Sequence, residues 1–154
     1  MISFEGAMTL ALEVARSSSG DVPVGAIVIN EKGEVIATGT NERELLKDPT
    51  GHAEIVVLRK AAQKVGSWRL ENHTLIVTLE PCAMCAGAII QSRISRVAFG
   101  AWDEKAGAVG SVWDLLRDPR TLHKVEVISG ILEQECAQIL HDFFQAERES
   151  QKRN

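Results

Sequence analysis

The apolar positions of the chain alternate between helical and strand-like spacing. A helix is predicted at the start, where apolar residues lie three or four positions apart: Phe4, Ala7, Met8, Ala11 and Ala15. Residues 22–29 and 35–39 are apolar runs on either side of a turn at residues 31–33, and this pattern predicts an antiparallel hairpin. After a loop at residues 48–51 a second helix is expected, with a predicted buried stripe of Ile55, Leu58, Ala62 and Val65.

The second half of the chain continues this alternation. Residues 74–79 form an almost wholly apolar run, which is typical of a strand buried on both faces. Pro81 is expected in the first turn of a third helix, because proline fits that position. The elements predicted after it are a strand at 96–100, a glycine-rich loop at 101–111, a short helix near 112–116, a strand at 124–128 and a closing helix with apolar residues Leu132, Cys136, Ile139, Leu140, Phe143 and Phe144. Alternating strands and helices predict one α/β domain over residues 1–154, and the initial hairpin makes its sheet mixed.

The composition is that of an ordinary soluble protein, with 45% hydrophobic and 25% charged residues among 154. The first residues lack the pattern of a secretory signal, and no apolar run approaches the roughly 20 residues that span a bilayer. We therefore expect a cytoplasmic protein with no membrane partner. The three cysteines do not resemble a secreted disulfide framework. The net charge of −4 gives no basic footprint of the kind that nucleic-acid binding usually leaves.

Two short motifs bring together the residue types of a catalytic zinc site. His52 and Glu54 stand at the predicted start of the second helix, and Cys82 and Cys85 stand at the predicted start of the third. Cysteines three positions apart on a helix can converge on one ion, and the helix N-terminus favours thiolates. One imidazole and two thiolates leave one tetrahedral position of a zinc ion open, which distinguishes catalytic from structural zinc. We therefore predict that His52, Cys82 and Cys85 hold one zinc ion and that Glu54 moves protons.

Each residue of these motifs also has a plainer interpretation. A Cys-x-x-Cys alone is typical of a redox pair, a lone histidine is more often structural, and Glu54 suits the first turn of a helix through its interaction with the helix dipole. A structural zinc would need a fourth protein ligand, for which the candidates are His73, His123, His141 and Cys136. None of these four has ligand-pair spacing to another. The combination of both motifs therefore favours an open, catalytic site.

The order His-x-Glu followed by Pro-Cys-x-x-Cys is the signature of the zinc nucleobase deaminases. Beyond that signature, the chain closely resembles the bacterial tRNA-specific adenosine deaminases over nearly its whole length. The matching segments are residues 22–26, 48–55, 79–88, 92–94, 99–101, 107–108, 110–111 and 142–144, together with Asn41. Two positions depart from the family pattern: Trp102 stands where a polar or basic residue is common, and Leu122 stands where asparagine is common.

The resemblance implies a three-layer α/β/α cytidine-deaminase-like fold with a mixed sheet of about five strands, and it implies a homodimer. It also implies that a flipped base of the tRNA anticodon stem-loop enters a pocket, where the wobble adenosine becomes inosine. In the implied mechanism zinc-bound hydroxide attacks C6 of adenine, while Glu54 carries protons to the ring nitrogen and to the leaving ammonia. The substrate contacts implied by the resemblance are Val24, Asn41, Ala53, Asp103, His123 and Phe144.

Two other functions stay open from the sequence. The acidic net charge favours a deaminase of a free nucleobase or nucleoside, such as guanine or cytosine. A non-catalytic, zinc-stabilised binding module would instead hold its metal with four protein ligands and no water. Assays with tRNA and with free bases, together with a measurement of metal coordination, separate these functions.

Overall fold

Four helices and five strands alternate along the chain. The computed structural model describes residues 1–154. The helices are α1 (Phe4–Arg16), α2 (Ala53–Val65), α3 (Ala83–Ser92) and α4 (Glu133–Arg153), and the strands are β1 (Gly25–Ile29), β2 (Val35–Thr40), β3 (Thr74–Leu79), β4 (Arg96–Ala101) and β5 (Glu126–Ile128). None of the four helices combines the length with the apolar character that crossing a bilayer requires.

The five strands form one mixed sheet in the order β2-β1-β3-β4-β5. Strand β1 is antiparallel to both β2 and β3, whereas β3, β4 and β5 are parallel to one another. The hairpin and the mixed sheet predicted from the sequence are therefore confirmed. Because β3 and β4 are parallel and joined through α3, their carboxyl ends meet at one edge of the sheet, which is where ligands bind in sheets of this type.

Helices cover both faces of the sheet. Helices α2 and α3 pack on one face through residues such as Val57 and Ile89. Helices α1 and α4 pack on the other face through residues such as Met8 and Cys136. The buried residues of the three central strands alternate between these two cores, because successive side chains of a strand point to opposite faces. The result is the predicted three-layer α/β/α cytidine-deaminase-like fold.

Helix α2 lies close against β2 because Gly39 has no side chain. A Cβ atom at this position would lie 2.9 Å from the backbone nitrogen of Val57 and 3.0 Å from the carbonyl oxygen of Ala53. The short side chains of Ala53 and Ala61 are buried on the same face of the helix. Close packing of small residues therefore fixes the distance of α2, and of the residue that begins it, from the sheet.

The predicted buried stripe of α2 is wrong at three of its four positions. The buried residues are Ala53, Glu54, Val56, Val57, Leu58 and Ala61. Val65 is 43% exposed, and Ile55 and Ala62 are only partly buried. Ile55 and Ala62 instead line an open groove between α2 and α3, together with Leu58.

Four further expectations differ from the structure. Pro81 does not enter the first helical turn but precedes Cys82, the N-cap residue of α3. The helix predicted near 112–116 is absent, because the backbone N–H groups of Val112 and Trp113 both donate to the carbonyl of Gly107 and close a loop. Strands β1 and β5 also begin later than predicted, at Gly25 and Glu126 in place of residues 22 and 124.

Candidate active site

His52 is positioned by the loop between β2 and α2. It is the N-cap residue of α2 and has extended backbone angles. In the loop before it, Oδ1 of Asp48 accepts hydrogen bonds from the backbone N–H of Thr50 at 2.9 Å and from its hydroxyl at 3.0 Å. The backbone N–H of Glu42 donates to the carbonyl of Gly51 at 2.8 Å. These bonds fix the backbone from which the imidazole projects.

The two cysteines come from the turn between β3 and α3. Cys82 is the N-cap residue of α3, and Cys85 lies in the first turn of the helix. The backbone N–H of Glu80 donates to the carbonyl of Ala101 at 2.8 Å and keeps the ends of β3 and β4 together, while the N–H of Ala86 donates to the carbonyl of Cys82 and begins the helix. Both sulfurs therefore lie at the positive end of a helix, which favours thiolates.

The three predicted ligand atoms meet in space. The Sγ atoms of Cys82 and Cys85 each lie 3.5 Å from Nδ1 of His52, and all three atoms lie within 4.8 Å of one another. Zinc bonds of about 2.3 Å to sulfur and about 2.0 Å to nitrogen, at a tetrahedral angle, separate the two ligand atoms by about 3.5 Å. The donor set and its spacing therefore fit a zinc ion. The other candidate ligands, His73, His123, His141 and Cys136, lie outside this cluster.

The groups of the cluster shift one another's pKa. A hydrogen bond from the Cys85 thiol, assisted by one from His52, lowers the pKa of the Cys82 thiol to about 4. The bond to Cys82, followed by burial and the nearby Glu54, raises the pKa of the Cys85 thiol. The bond to Cys82 also raises the pKa of His52. One thiolate is therefore favoured by the protein alone, and a divalent cation would favour the second.

Glu54 lies in the first turn of α2, and only 4% of it is exposed. Burial raises the pKa of its carboxyl group to about 7. The residue is not a member of the three-ligand cluster. A carboxyl group with a pKa near neutral pH can both accept and donate a proton, which is what a general acid–base group requires.

A cavity of about 250 Å³ opens beside the cluster. Its lining includes His52, Glu54 and Cys82 and four of the predicted substrate contacts, Val24, Asn41, Ala53 and Asp103. The side-chain amide of Asn41 donates to the carbonyl of Val22 at 3.3 Å, and its oxygen accepts from the backbone N–H of Arg43 at 3.2 Å. Oδ1 of Asp103 accepts two backbone hydrogen bonds from its own turn at 3.1 Å. The polar side chains of the wall are therefore held by backbone groups.

The two remaining predicted contacts lie outside this cavity. Phe144 is 46% exposed and lines a wider cleft of about 1070 Å³, which also includes Trp102 and which shares Asp103 with the cavity. His123 precedes β5, and its Nε2 atom lies 2.6 Å from the carbonyl oxygen of Ile94, to which it donates. This is the edge of the sheet opposite to the carboxyl ends of β3 and β4. The structure therefore does not bring His123 to the other predicted contacts.

Comparison with known proteins separates the families that share this metal motif. The MafB19-like deaminase family model matches residues 3–148. The tRNA-specific adenosine deaminase of Haemophilus influenzae is 47% identical over 150 residues, which cover 96% of this chain and 87% of that protein. The chain belongs to the family of the tRNA-specific adenosine deaminases.

Solved structures show the same relationship. One described as "Biochemical and Structural Studies of A-to-I Editing by tRNA:A34 Deaminases at the Wobble Position of Transfer RNA" is 46% identical to this deaminase, with a TM-score of 0.83 over 87% of this chain and 98% of that one. A guanine deaminase from Nitrosomonas europaea is 26% identical, with a TM-score of 0.78 over 93% of this chain and 85% of that one. The deaminase is thus much more similar in sequence to the first structure than to the second.

Three polar residues near the site were missed by the sequence analysis. Arg43 lines the cavity of the deaminase, and no local signal indicates it because its place depends on the path of a loop. Asp21, 4% exposed, accepts the backbone N–H groups of Glu44 and Leu45 at 2.7 and 3.1 Å. Glu80 is 2% exposed and accepts four hydrogen bonds from the loop after β4. The sequence signal that could have indicated Glu80 is its place as an acidic residue directly after an apolar strand.

Proposed function

We propose that this chain is a zinc-dependent enzyme that hydrolyses adenosine to inosine at the first anticodon position of tRNA. The observation that carries the proposal is the meeting of His52, Cys82 and Cys85 beside the buried Glu54, in a chain 47% identical to a tRNA-specific adenosine deaminase. The proposal includes one zinc ion per chain, one deaminase domain over the 154 residues and a cytoplasmic location.

Glu54 is the group that moves protons in this proposal. A zinc ion held by the imidazole and the two thiolates supplies an activated water near neutral pH, because it lowers the pKa of bound water to about 7. The Glu54 carboxylate would accept one proton from that water and deliver it to the ring nitrogen of adenine. It would then carry a second proton, from the hydroxyl group added at C6, to the departing amine as ammonia leaves. Burial, which raises the pKa of this carboxyl group to about 7 in the metal-free chain, favours a group that can both accept and donate a proton. Burial also limits proton exchange with bulk water.

The cavity is proposed to hold a single base that has left the stack of the anticodon loop. Val24 and Ala53 supply apolar contacts to its faces, and Asn41 supplies an amide for its polar edge. The adjoining cleft, where Trp102 and Phe144 are exposed, is wide enough for neighbouring nucleotides. Bases stack on aromatic side chains, and single-stranded RNA is recognised largely in this way. Stacking on these aromatic side chains, with Arg43 at the cavity and Lys105 at the cleft, supports binding of RNA by a chain whose net charge is −4.

A second copy of the chain is proposed to bind the groove between α2 and α3. This groove of about 550 Å³ is lined mainly by apolar side chains, namely Ile55, Leu58, Ala62, Trp68, Leu70 and Ala88. Trp68 is 58% exposed beside it, and exposed apolar patches of this kind are typical of protein interfaces. Sedimentation equilibrium is expected to show a dimer that Trp68→Glu dissociates. Leu122→Glu is the control, because Leu122 is 95% exposed and lies outside the groove. A monomeric wild-type chain would contradict the dimer.

The proposed reaction is tested by incubating the purified protein with tRNA and sequencing the product. Inosine is expected at the first anticodon position, and the same preparation is assayed with free guanine, cytosine and adenosine. Deamination of guanine without change in tRNA would support the alternative of a free-base deaminase. Metal analysis and X-ray absorption are expected to show one zinc ion with one nitrogen, two sulfur ligands and a water. Four protein ligands in an inactive protein would support the non-catalytic binding module.

A further inference from the structure

A single buried carboxylate holds the loop that forms one wall of the substrate cleft. Glu80 directly follows β3 and lies two residues before Cys82, and only 2% of it is exposed. It is not a member of the metal-binding cluster. Although Glu80 borders the cavity, both of its carboxylate oxygens are engaged by residues 103–111. Its role is therefore to be sought in this loop.

Four donors from both ends of the loop converge on Glu80. Oε1 accepts the backbone N–H of Asp103 at 3.0 Å and also accepts the hydroxyl of Ser111. Oε2 accepts the backbone N–H groups of Val109 at 3.0 Å and of Ser111 at 3.1 Å. Gly107 packs directly against the carboxyl group, since a Cβ atom there would lie 2.3 Å from Cδ of Glu80. The loop is therefore folded around this one side chain.

The same loop faces the substrate on one side and the metal-binding turn on the other. Asp103 and Ala106 line the inner cavity, and Trp102 lines the outer cleft. The backbone N–H of Ala108 donates to the carbonyl of Pro81 at 2.8 Å, directly before Cys82. We propose that Glu80 is a positioning residue. It holds the loop in place as a wall of the substrate cleft and fixes the position of that wall relative to the zinc-binding turn. This inference rests on the proposed function, because the cleft is the one assigned to the tRNA.

The chemistry of the four donors explains why a carboxylate is needed. All four groups are N–H or O–H donors, and a carboxylate is the side chain that offers two oxygens as acceptors without a donor of its own. A glutamine at position 80 would keep the volume but would turn an N–H₂ group toward backbone N–H donors. Buried donors without an acceptor are strongly unfavourable, so the loop is expected to move away.

The zinc-loaded Glu80→Gln variant tests the inference. The zinc content is expected to equal that of the wild type, while the backbone amides of residues 103–111 exchange with deuterium about tenfold faster or more. The KM for tRNA is expected to rise about tenfold or more, with a smaller change in kcat, because the wall that binds the substrate is displaced. Ser111→Ala, which removes one donor, should give a weaker effect in the same direction, and Ser111→Thr, which keeps the hydroxyl, should not.

A matched control separates positioning from general loss of stability. Ile27→Ala removes part of a fully buried side chain of β1 and destabilises the fold in the core beneath α1 and α4, which contains no residue of the loop 103–111. It should leave the KM and the exchange of the loop unchanged. Wild-type exchange and KM in Glu80→Gln would overturn the inference. Equal changes in Ile27→Ala at the same melting temperature would also overturn it. If Glu80→Gln does not fold, the comparison of Ser111→Ala with Ser111→Thr tests the inference instead. A wild-type chain that leaves tRNA unchanged would count against the proposed function, whereas the exchange rates would still test Glu80.

Discussion

Replacement of Glu54 by glutamine is expected to stabilise the metal-free chain while it removes the activity. Burial disfavours the ionised carboxylate and raises its pKa from the ordinary value of 4.5 to about 7. Each pKa unit corresponds to about 1.4 kcal/mol, so ionisation costs the folded state about 3 kcal/mol relative to the unfolded chain. Glutamine has the same shape and no charge, and it removes this cost.

The stabilisation has a defined dependence on pH. The folded chain binds the Glu54 proton more tightly than the unfolded chain, because its pKa is higher in the folded state. The free energy of unfolding of the wild type therefore falls as the pH rises from about 4.5 to about 7, and the full penalty is present above that range. The wild type and Glu54→Gln should accordingly be similar in stability below pH 4.5 and should differ by about 3 kcal/mol above pH 7.

Urea denaturation in the presence of a chelator measures this difference at pH 4 and at pH 8. The zinc-loaded Glu54→Gln and Glu54→Ala variants are assayed in parallel with tRNA. Both are expected to retain one zinc ion and to lose at least about 10²- to 10⁴-fold in kcat, the usual contribution of a general acid–base group. A Glu54→Gln variant that is no more stable than the wild type at pH 8 would refute the argument from burial. Near-normal turnover of either variant would refute the role of Glu54 in proton transfer.

Three further substitutions or modifications test other parts of the structure. Gly39→Ala is expected to lower the free energy of unfolding by about 1–3 kcal/mol and to reduce kcat, because its Cβ atom would lie 2.9 Å from the backbone nitrogen of Val57; urea denaturation and tRNA assays measure both effects. Burial raises the pKa of Cys136 to about 12, so iodoacetamide at pH 8 should label this thiol only after unfolding, as read by mass spectrometry. Trp102→Ala should raise the KM for tRNA about tenfold, since stacking of one base contributes about 1–3 kcal/mol. Trp113→Ala is the control for Trp102, because Trp113 is exposed and lines neither the cavity nor the cleft.

The parts of the fold that depend on local signals could be predicted from the sequence. Strand β3 was predicted at its observed residues, because an apolar run there stands between the polar residues 71–73 and Glu80-Pro81. The candidate metal ligands stand at helix starts, which loops and proline mark in the sequence. The local sequence signals for a helix start therefore also mark the positions of His52 and Cys82 in the site.

The parts that depend on distant residues could not be predicted in this way. The buried face of α2 is set by Gly39, whose missing side chain lets Ala53 and Val57 lie against β2. Ile55 and Ala62 are left in the open groove between α2 and α3. The loop after β4 was interpreted as leading into a helix near 112–116. The actual path of this loop depends on Glu80, which lies more than 20 positions earlier and accepts hydrogen bonds from the backbone N–H groups of the loop. Neither effect leaves a periodic pattern in the sequence.

Two buried carboxylates hold the two loops beside the cavity. Asp21 accepts backbone N–H groups of the loop after β2, which supplies Arg43, and Glu80 accepts those of the loop after β4, which supplies Asp103. Charged acceptors bind several donors at once and fix a loop without filling the space beside it. A cavity wall made in this way can stay open to a base, whereas an apolar wall of the same rigidity would need side chains packed into the cavity. Substitutions in the apolar core should therefore lower the free energy of unfolding before they change the KM for tRNA. Substitutions of Asp21 should change the KM for tRNA before they lower the free energy of unfolding.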